Sequence, residues 1–127
     1  MPQTVIRVFR IVSSGAVPLV NWMDALEENE PRAYVKCLAY IRLLAQLGSE
    51  LRRPISDGLR DGIRELRIKV GTVNYRILYF FCGSNVVCLS HGLTKESKVP
   101  DAEIDLAVNR KLLVERDMDR HTTDWER

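Results

Sequence analysis

At 127 residues, 46% hydrophobic and 28% charged, the chain has the size and composition of one folded domain and lies far from the polar, aromatic-poor profile of a disordered chain. No run approaches the ~20 apolar residues that cross a bilayer, and Arg7 and Arg10 break up the N-terminal apolar stretch, so neither a membrane span nor a signal peptide is expected and a cytoplasmic location is. The net charge of +2 is small but uneven: residues 51–98 hold nine Lys or Arg against four Asp or Glu, net +5, residues 1–50 five against five, and residues 99–127 five against eight.

Thr4 to Ser13 alternates β-branched and aromatic residues with arginines and ends at Ser13-Ser14-Gly15, which predicts a first strand. Pro18 opens a helix through Leu19, Val20, Trp22, Met23 and Leu26, and Glu30-Pro31 interrupts it. From Pro31, a stripe of Tyr34, Val35, Leu38, Ile41, Leu44, Ala45 and Leu47 predicts a second helix that Gly48 terminates, so the two form a hairpin. Residues 49–62, with Pro54, Gly58 and Gly62, read as a long Arg-rich loop. Three strands follow, Ile63–Val70, Tyr75–Cys82 and Val86–Leu93, joined by Gly71-Thr72-Val73-Asn74 and Gly83-Ser84-Asn85 as an antiparallel meander. Pro100 then opens a last helix through Leu113 that frays into a polar tail, residues 117–127. The predicted class is α+β, in a single domain spanning residues 1–127.

Pairing Val70 with Tyr75 sorts the first hairpin of the meander into two faces. Leu66, Ile68, Val70, Tyr75, Ile77, Tyr79 and Phe81 form one, a surface for helices to cover. Glu65, Arg67, Lys69 and Arg76 occupy the other, with Lys69 opposite Arg76 and Arg67 on a diagonal. Like charges placed together destabilise a sheet unless something offsets them. One candidate is Glu65, with the long cationic stems covering apolar surface; the other is a bound anion, since guanidinium forks suit phosphate.

Ser90-His91-Gly92-Leu93-Thr94-Lys95-Glu96-Ser97-Lys98 adds a histidine and two lysines beside this field. His91 is either a general base near neutral pH or a hydrogen-bonded structural residue. Cys37, Cys82 and Cys88 form no Cys-x-x-Cys pair and read as buried thiols. His91 and His121 are far apart, and neither a glycine-rich phosphate loop nor a hydrolase elbow occurs, so no metal and no cofactor is expected. The remaining chemistry is metal-free RNA cleavage, in which the ribose 2′-hydroxyl attacks its own phosphate while cations stabilise the developing charge.

Gly62-Ile63-Arg64-Glu65-Leu66-Arg67, Tyr75-Arg76-Ile77-Leu78-Tyr79-Phe80-Phe81 and Leu89-Ser90-His91-Gly92-Leu93-Thr94-Lys95 occur in that order on three strands after a helical hairpin. Over residues 4–115 the chain resembles the RelE/ParE superfamily of toxins, and within it the phage-derived HigB-like subgroup, whose members carry Glu-Leu-Arg, Tyr-Arg-x-x-Tyr and His-Gly-Phe-x-Lys-Lys before a Pro-led final helix. The resemblance implies a RelE-like fold: a first strand, a helical hairpin, a three-stranded antiparallel meander and a C-terminal helix. It implies a type II toxin that acts as a ribosome-dependent endoribonuclease (an mRNA interferase). The implied partners are the 70S ribosome and mRNA, a cognate HigA-like antitoxin, and operator DNA only through that antitoxin. Residue by residue, Arg67, Arg76 and Lys95 match the family's catalytic positions, with Arg67 and Arg76 on the phosphate and Lys95 as proton donor to the leaving 5′-oxygen. Lys69, His91 and Lys98 are expected to help bind RNA. Glu96 replaces the subgroup's second lysine and a late tyrosine is missing, which leaves the general base open, Glu65 included. The same superfamily contains ParE-like gyrase inhibitors, which need no cleavage site, and an inactive antitoxin-binding module is a further alternative.

Overall fold

The computed structural model describes residues 3–94 and 97–127. Its elements are β1 (Val5–Phe9), α1 (Pro18–Asn29), α2 (Pro31–Leu47), a 3₁₀ turn (Gly48–Glu50), β2 (Ser56–Gly58), β3 (Arg64–Val70), β4 (Val73–Phe81), β5 (Val86–Thr94), α3 (Asp101–Arg116), α4 (Met118–His121) and β6 (Thr122–Asp124). They build a mixed α+β fold around one six-stranded sheet of order β2-β3-β4-β5-β1-β6. The β3-β4-β5 meander is antiparallel as expected, and β1 joins it parallel to β5. Among the described residues, no helix is long and apolar enough to cross a membrane.

The helical hairpin follows from its prolines and spacing. Pro18 and Pro31 each sit in a first helical turn, where the missing N–H has no intrahelical partner to lose, and Glu30 ends α1 while preceding α2. Leu19, Met23 and Leu26 of α1, with Ala33, Cys37, Ile41 and Leu44 of α2, recur at helical spacing and are buried on one face of the sheet, against Leu66, Ile68, Tyr75, Ile77 and Tyr79. Val35 and Leu47, assigned to the α2 stripe from sequence, are exposed instead.

The opposite face is also covered. Ile104, Ala107 and Val114 of α3 pack with Phe9, Ile63, Leu78, Phe80, Cys88 and Leu93 in a second core. β4 is therefore buried on both sides from Tyr75 to Phe80. Leu106, Leu112 and Leu113 of α3 are exposed, so its apolar residues do not form one inward stripe. Burial pushes the Cys37 thiol up to about 12 and the Cys82 thiol to about 11, and raises Cys88 further, so all three stay protonated near neutrality.

Three expectations need correction. The connection between β3 and β4 is the two-residue turn Gly71-Thr72, with Val70 paired to Val73. A positive φ at Gly71 (62°) and not at Thr72 fits a type II′ turn, which matches strand twist and lets the ladder run two residues further than predicted. The sheet has six strands rather than four, because Ser56–Gly58, placed in a loop, pairs with β3, and Thr122–Asp124, placed in the tail, pairs with β1. Residues 117–127 do not fray. Asp117 caps α4 by accepting from the Arg120 N–H, Arg7 bridges to Asp124, Arg127 bridges to Asp24, and Trp125 packs on the first core.

Gly92 is a requirement of this packing. A Cβ there would overlap the ring of Trp22 from α1, which lies directly on the β5 backbone. Gly92→Ala is expected to destabilise the protein by about 1–3 kcal/mol, the range for overpacking a filled core. Urea unfolding followed by tryptophan fluorescence measures the shift, and an unchanged midpoint would remove Trp22 from this role.

Candidate functional site: an arginine pair on the sheet

The shorter turn moves the β3–β4 register by two residues, an even number, so each side chain keeps its predicted face while its partner changes. Arg67, not Lys69, stands directly opposite Arg76, and Lys69 faces Asn74. Two guanidinium groups thus occupy one cross-strand pair, where like charges destabilise a ladder.

Glu65 offsets them. Its side chain is 5% exposed, and Oε1 accepts a 2.7 Å hydrogen bond from Nη1 of Arg76, itself 10% exposed. The same oxygen lies 3.6 Å from Nε of Arg67, an ion pair too long for a hydrogen bond. Arg67 is half-exposed and reaches Asp57 on β2 at 3.9 Å, and Asp57 is bound by Nε of Arg53 at 3.1 Å. The hydrogen bond from Arg53 holds the Asp57 carboxyl below its usual range, with Arg67 adding to the effect. Charges alternate from Arg53 through Asp57, Arg67 and Glu65 to Arg76. The chain does not satisfy every donor: Nε of Arg76 is buried with no hydrogen-bond partner among the described residues.

Arg67, Lys69 and Arg76 line one cleft of about 300 Å³ with Lys36, Tyr40 and Asn74. Lys36 and Tyr40 come from α2 and were not anticipated. Lys36 donates from Nζ to the Lys69 carbonyl at 2.6 Å and lies 5.7 Å from the Tyr40 ring centre. Their i, i+4 spacing on a helix was legible, but the side of the sheet edge they would meet was not.

Two other expected residues lie elsewhere. Lys98 is exposed and lines a separate cleft of about 340 Å³ with Leu59, Arg60, Asp101 and Glu65, not the cleft of the arginine pair. His91 is buried one strand beyond Leu78, in the row Glu65–Leu78–His91, which puts it about 10 Å from the β3 row. A bulge at Ser90, between the pairs Leu78–His91 and Tyr79–Leu89, turns its ring toward α3. There Nε2 donates to Glu103 at 3.0 Å and Nδ1 accepts from the Ser90 hydroxyl at 2.7 Å, while Arg110 holds the Ser90 carbonyl at 3.3 Å. Both ring nitrogens are occupied, as in the structural reading of this residue. Burial, reinforced by Arg110, lowers its pKa despite Glu103. Lys95, expected as the proton donor, lies outside the described residues. Among those residues, no group of three or more His, Cys, Asp or Glu side chains has an arrangement that could hold a metal ion.

The cleft presents cations on rigid strands beside the half-buried Tyr40, an arrangement suited to an anion such as a phosphodiester. The fold and site together define a small α+β protein with a basic sheet edge. A family model described as Phage derived protein Gp49-like (DUF891) matches residues 21–112, more than two thirds of the chain. The chain belongs to this family, which is associated with RelE-like toxins of toxin–antitoxin systems. A search of curated proteins found no match.

Two predictions follow from this geometry. Glu65→Ala leaves Arg76 as a buried, uncompensated charge and should cost about 3–5 kcal/mol of unfolding free energy, with much of the loss recovered in a Glu65→Ala/Arg76→Met double variant. A single-variant loss below 1 kcal/mol in urea titration would mean that the pair is not the fold's charge anchor. The lowered pKa of His91 means that the unfolded chain binds its proton more readily, so the residue's contribution is present above about pH 6.5 and is lost as the pH falls from there through the folded value. NMR titration should place the His91 ring midpoint below the ordinary histidine value of about 6.5; a midpoint above it would contradict the assigned burial.

Proposed function

We propose that this chain is a HigB-like toxin that cleaves mRNA on the ribosome without a metal, with the scissile phosphate seated in the cleft of Arg67 and Arg76. The observation that carries this reading is the direct opposition of Arg67 and Arg76 around one buried carboxylate, with the Arg76 Nε donor left unsatisfied. Such an arrangement destabilises an empty sheet, and a phosphate seated against the half-exposed Arg67 would supply the missing charge.

In the proposed reaction the ribose 2′-oxygen attacks the adjacent phosphorus, the bond to the 5′-oxygen breaks, and a 2′,3′-cyclic phosphate and a 5′-hydroxyl form. Arg76, held from beneath by Glu65, and the half-exposed Arg67 stabilise the additional charge on the phosphorane oxygens. The proton from the 2′-hydroxyl passes to a base, and Lys95 returns one to the leaving 5′-oxygen. Glu65 is already committed to Arg76 at 2.7 Å, which favours a positioning role over that of base. Lys69 and Lys36 extend the positive field along the same cleft. The partners in this reading are the 70S ribosome with its mRNA and a HigA-like antitoxin, in the cytoplasm.

Primer extension on mRNA from translating cells after brief induction tests the proposal. The wild type should produce new ends within coding regions, only while ribosomes are active. Arg67→Ala, half-exposed and tolerable to the fold, should reduce them about 10²–10³-fold, the cost of removing one transition-state donor, and Lys95→Ala should also be impaired. Growth arrest without new ends would replace this reading with ParE-like gyrase inhibition, and no arrest at all would leave an antitoxin-binding module.

A further inference from the structure

A second cluster of cations lies around the β2 edge from the arginine pair. Arg64 starts β3 and pairs with Tyr79, which puts its side chain on the α2 face of the sheet. Nε donates to the Tyr79 hydroxyl at 3.3 Å and Nη2 to the Ser56 hydroxyl at 3.2 Å, and these two hydroxyls are hydrogen-bonded to each other. Ser56 and Tyr79 are fully buried, so the guanidinium is held from beneath by rigid, neutral groups. Two of its five N–H donors are used, and no carboxylate pairs with it among the described residues. Arg7, Arg53, Arg60, Arg67, Arg76 and Arg127 do pair with one, so what sets Arg64 apart is the pair of buried hydroxyls that anchors it.

Arg64 opens onto a cleft of about 490 Å³ bounded by Ser49, Arg52, Arg53, Ser56 and Asp57. Arg52 also has no ion-pair partner among the described residues. The one acid on this rim among the described residues, Asp57, is shared by Arg53 and Arg67, so three arginines face the cleft against one committed carboxylate. Arg64 and Arg67 are three residues apart on β3, or about 10 Å along the strand. One oligonucleotide can bridge that distance, and the Arg53–Asp57–Arg67 chain links the two clefts.

We infer that the cleft of Arg52, Arg53 and Arg64 is a second phosphate site, holding a backbone phosphate of single-stranded RNA away from the scissile one. The ligand class rests on the proposed nuclease function; the site itself rests on the anchored, unpaired Arg64. The site recognises phosphate by charge and fork geometry and reads no base, so it lengthens the bound segment without adding sequence preference.

The test is fluorescence anisotropy with a short single-stranded 2′-O-methyl oligoribonucleotide, which lacks the attacking hydroxyl, titrated over a range of salt. Arg52→Ala and Arg64→Gln should each weaken binding about tenfold, the order of one charge-assisted hydrogen bond. Each should also lower the slope of log K against log salt by about 0.7, the value of one single-strand phosphate contact. Arg116→Ala, an exposed cation at the end of α3, is the control and should leave the slope unchanged. Arg52 is exposed, so its substitution leaves the fold intact even if Arg64→Gln does not. Wild-type affinity and slope in folded Arg52→Ala would overturn the inference, whatever the variant does to a protein partner. Loss of slope in a protein that never cuts mRNA would keep the phosphate site and reject the nuclease reading. Cutting with an unchanged slope would do the opposite.

Discussion

Arg67 and Arg76 repel one another across adjacent strands, and the Glu65 carboxylate is what allows β3 and β4 to pair there. The bond to Arg76 is buried on both sides, where an unpaired charge costs several kcal/mol, so the sheet register, the position of Glu65 and the direction of the Arg76 fork are set together. A slip of β3 by one residue would carry Glu65 and Arg67 onto the α1–α2 face, into the core beside Ile77, and strip Arg76 of its carboxylate. The ion pair therefore acts less as a source of net stability than as a lock on register.

That lock works because β4 cannot move. It is covered by α1 and α2 on one side and by α3 on the other, and from Tyr75 to Tyr79 it is paired with both β3 and β5. Arg76 is at the end of the doubly buried stretch, where the α3 cover gives way to a cleft open to water. A guanidinium there gains the low dielectric that strengthens its bonds and keeps access for an anion from outside. The rigid scaffold and the cationic edge are two ends of one strand.

The parts legible in the sequence are those whose cause is local. Prolines and i, i+4 spacing located α1 and α2, and period-two alternation located β3, β4 and β5 and sorted Glu65, Arg67, Lys69 and Arg76 onto one face. The exact partner was not legible, because Gly71-Thr72-Val73-Asn74 supports either a four-residue or a two-residue connection and only the twist of the paired strands selects the latter. β2 and β6, Ser-Asp-Gly and Thr-Thr-Asp, have no strand signal of their own. They are extended because β3 and β1 offer free edges, and those contacts span large sequence separations in the case of β6. Lys36, Tyr40 and Arg53 joined the site for the same reason: tertiary placement brought them to the cleft.

The charge excess of residues 51–98 takes on a different meaning in three dimensions. Arg52, Arg53, Arg64 and Arg67 collect around the β2 edge of the sheet, where exposed backbone donors and acceptors would otherwise invite another strand. A three-residue strand flanked by arginines blocks such pairing by its shortness and its charge. In the proposed function the same charges hold a polyanion, whose phosphates would bind side chains and make no use of the ladder. The residues that guard this edge against strand pairing and those proposed to bind RNA are thus the same, so a chain with a net charge of only +2 concentrates its positive field at one edge of the sheet.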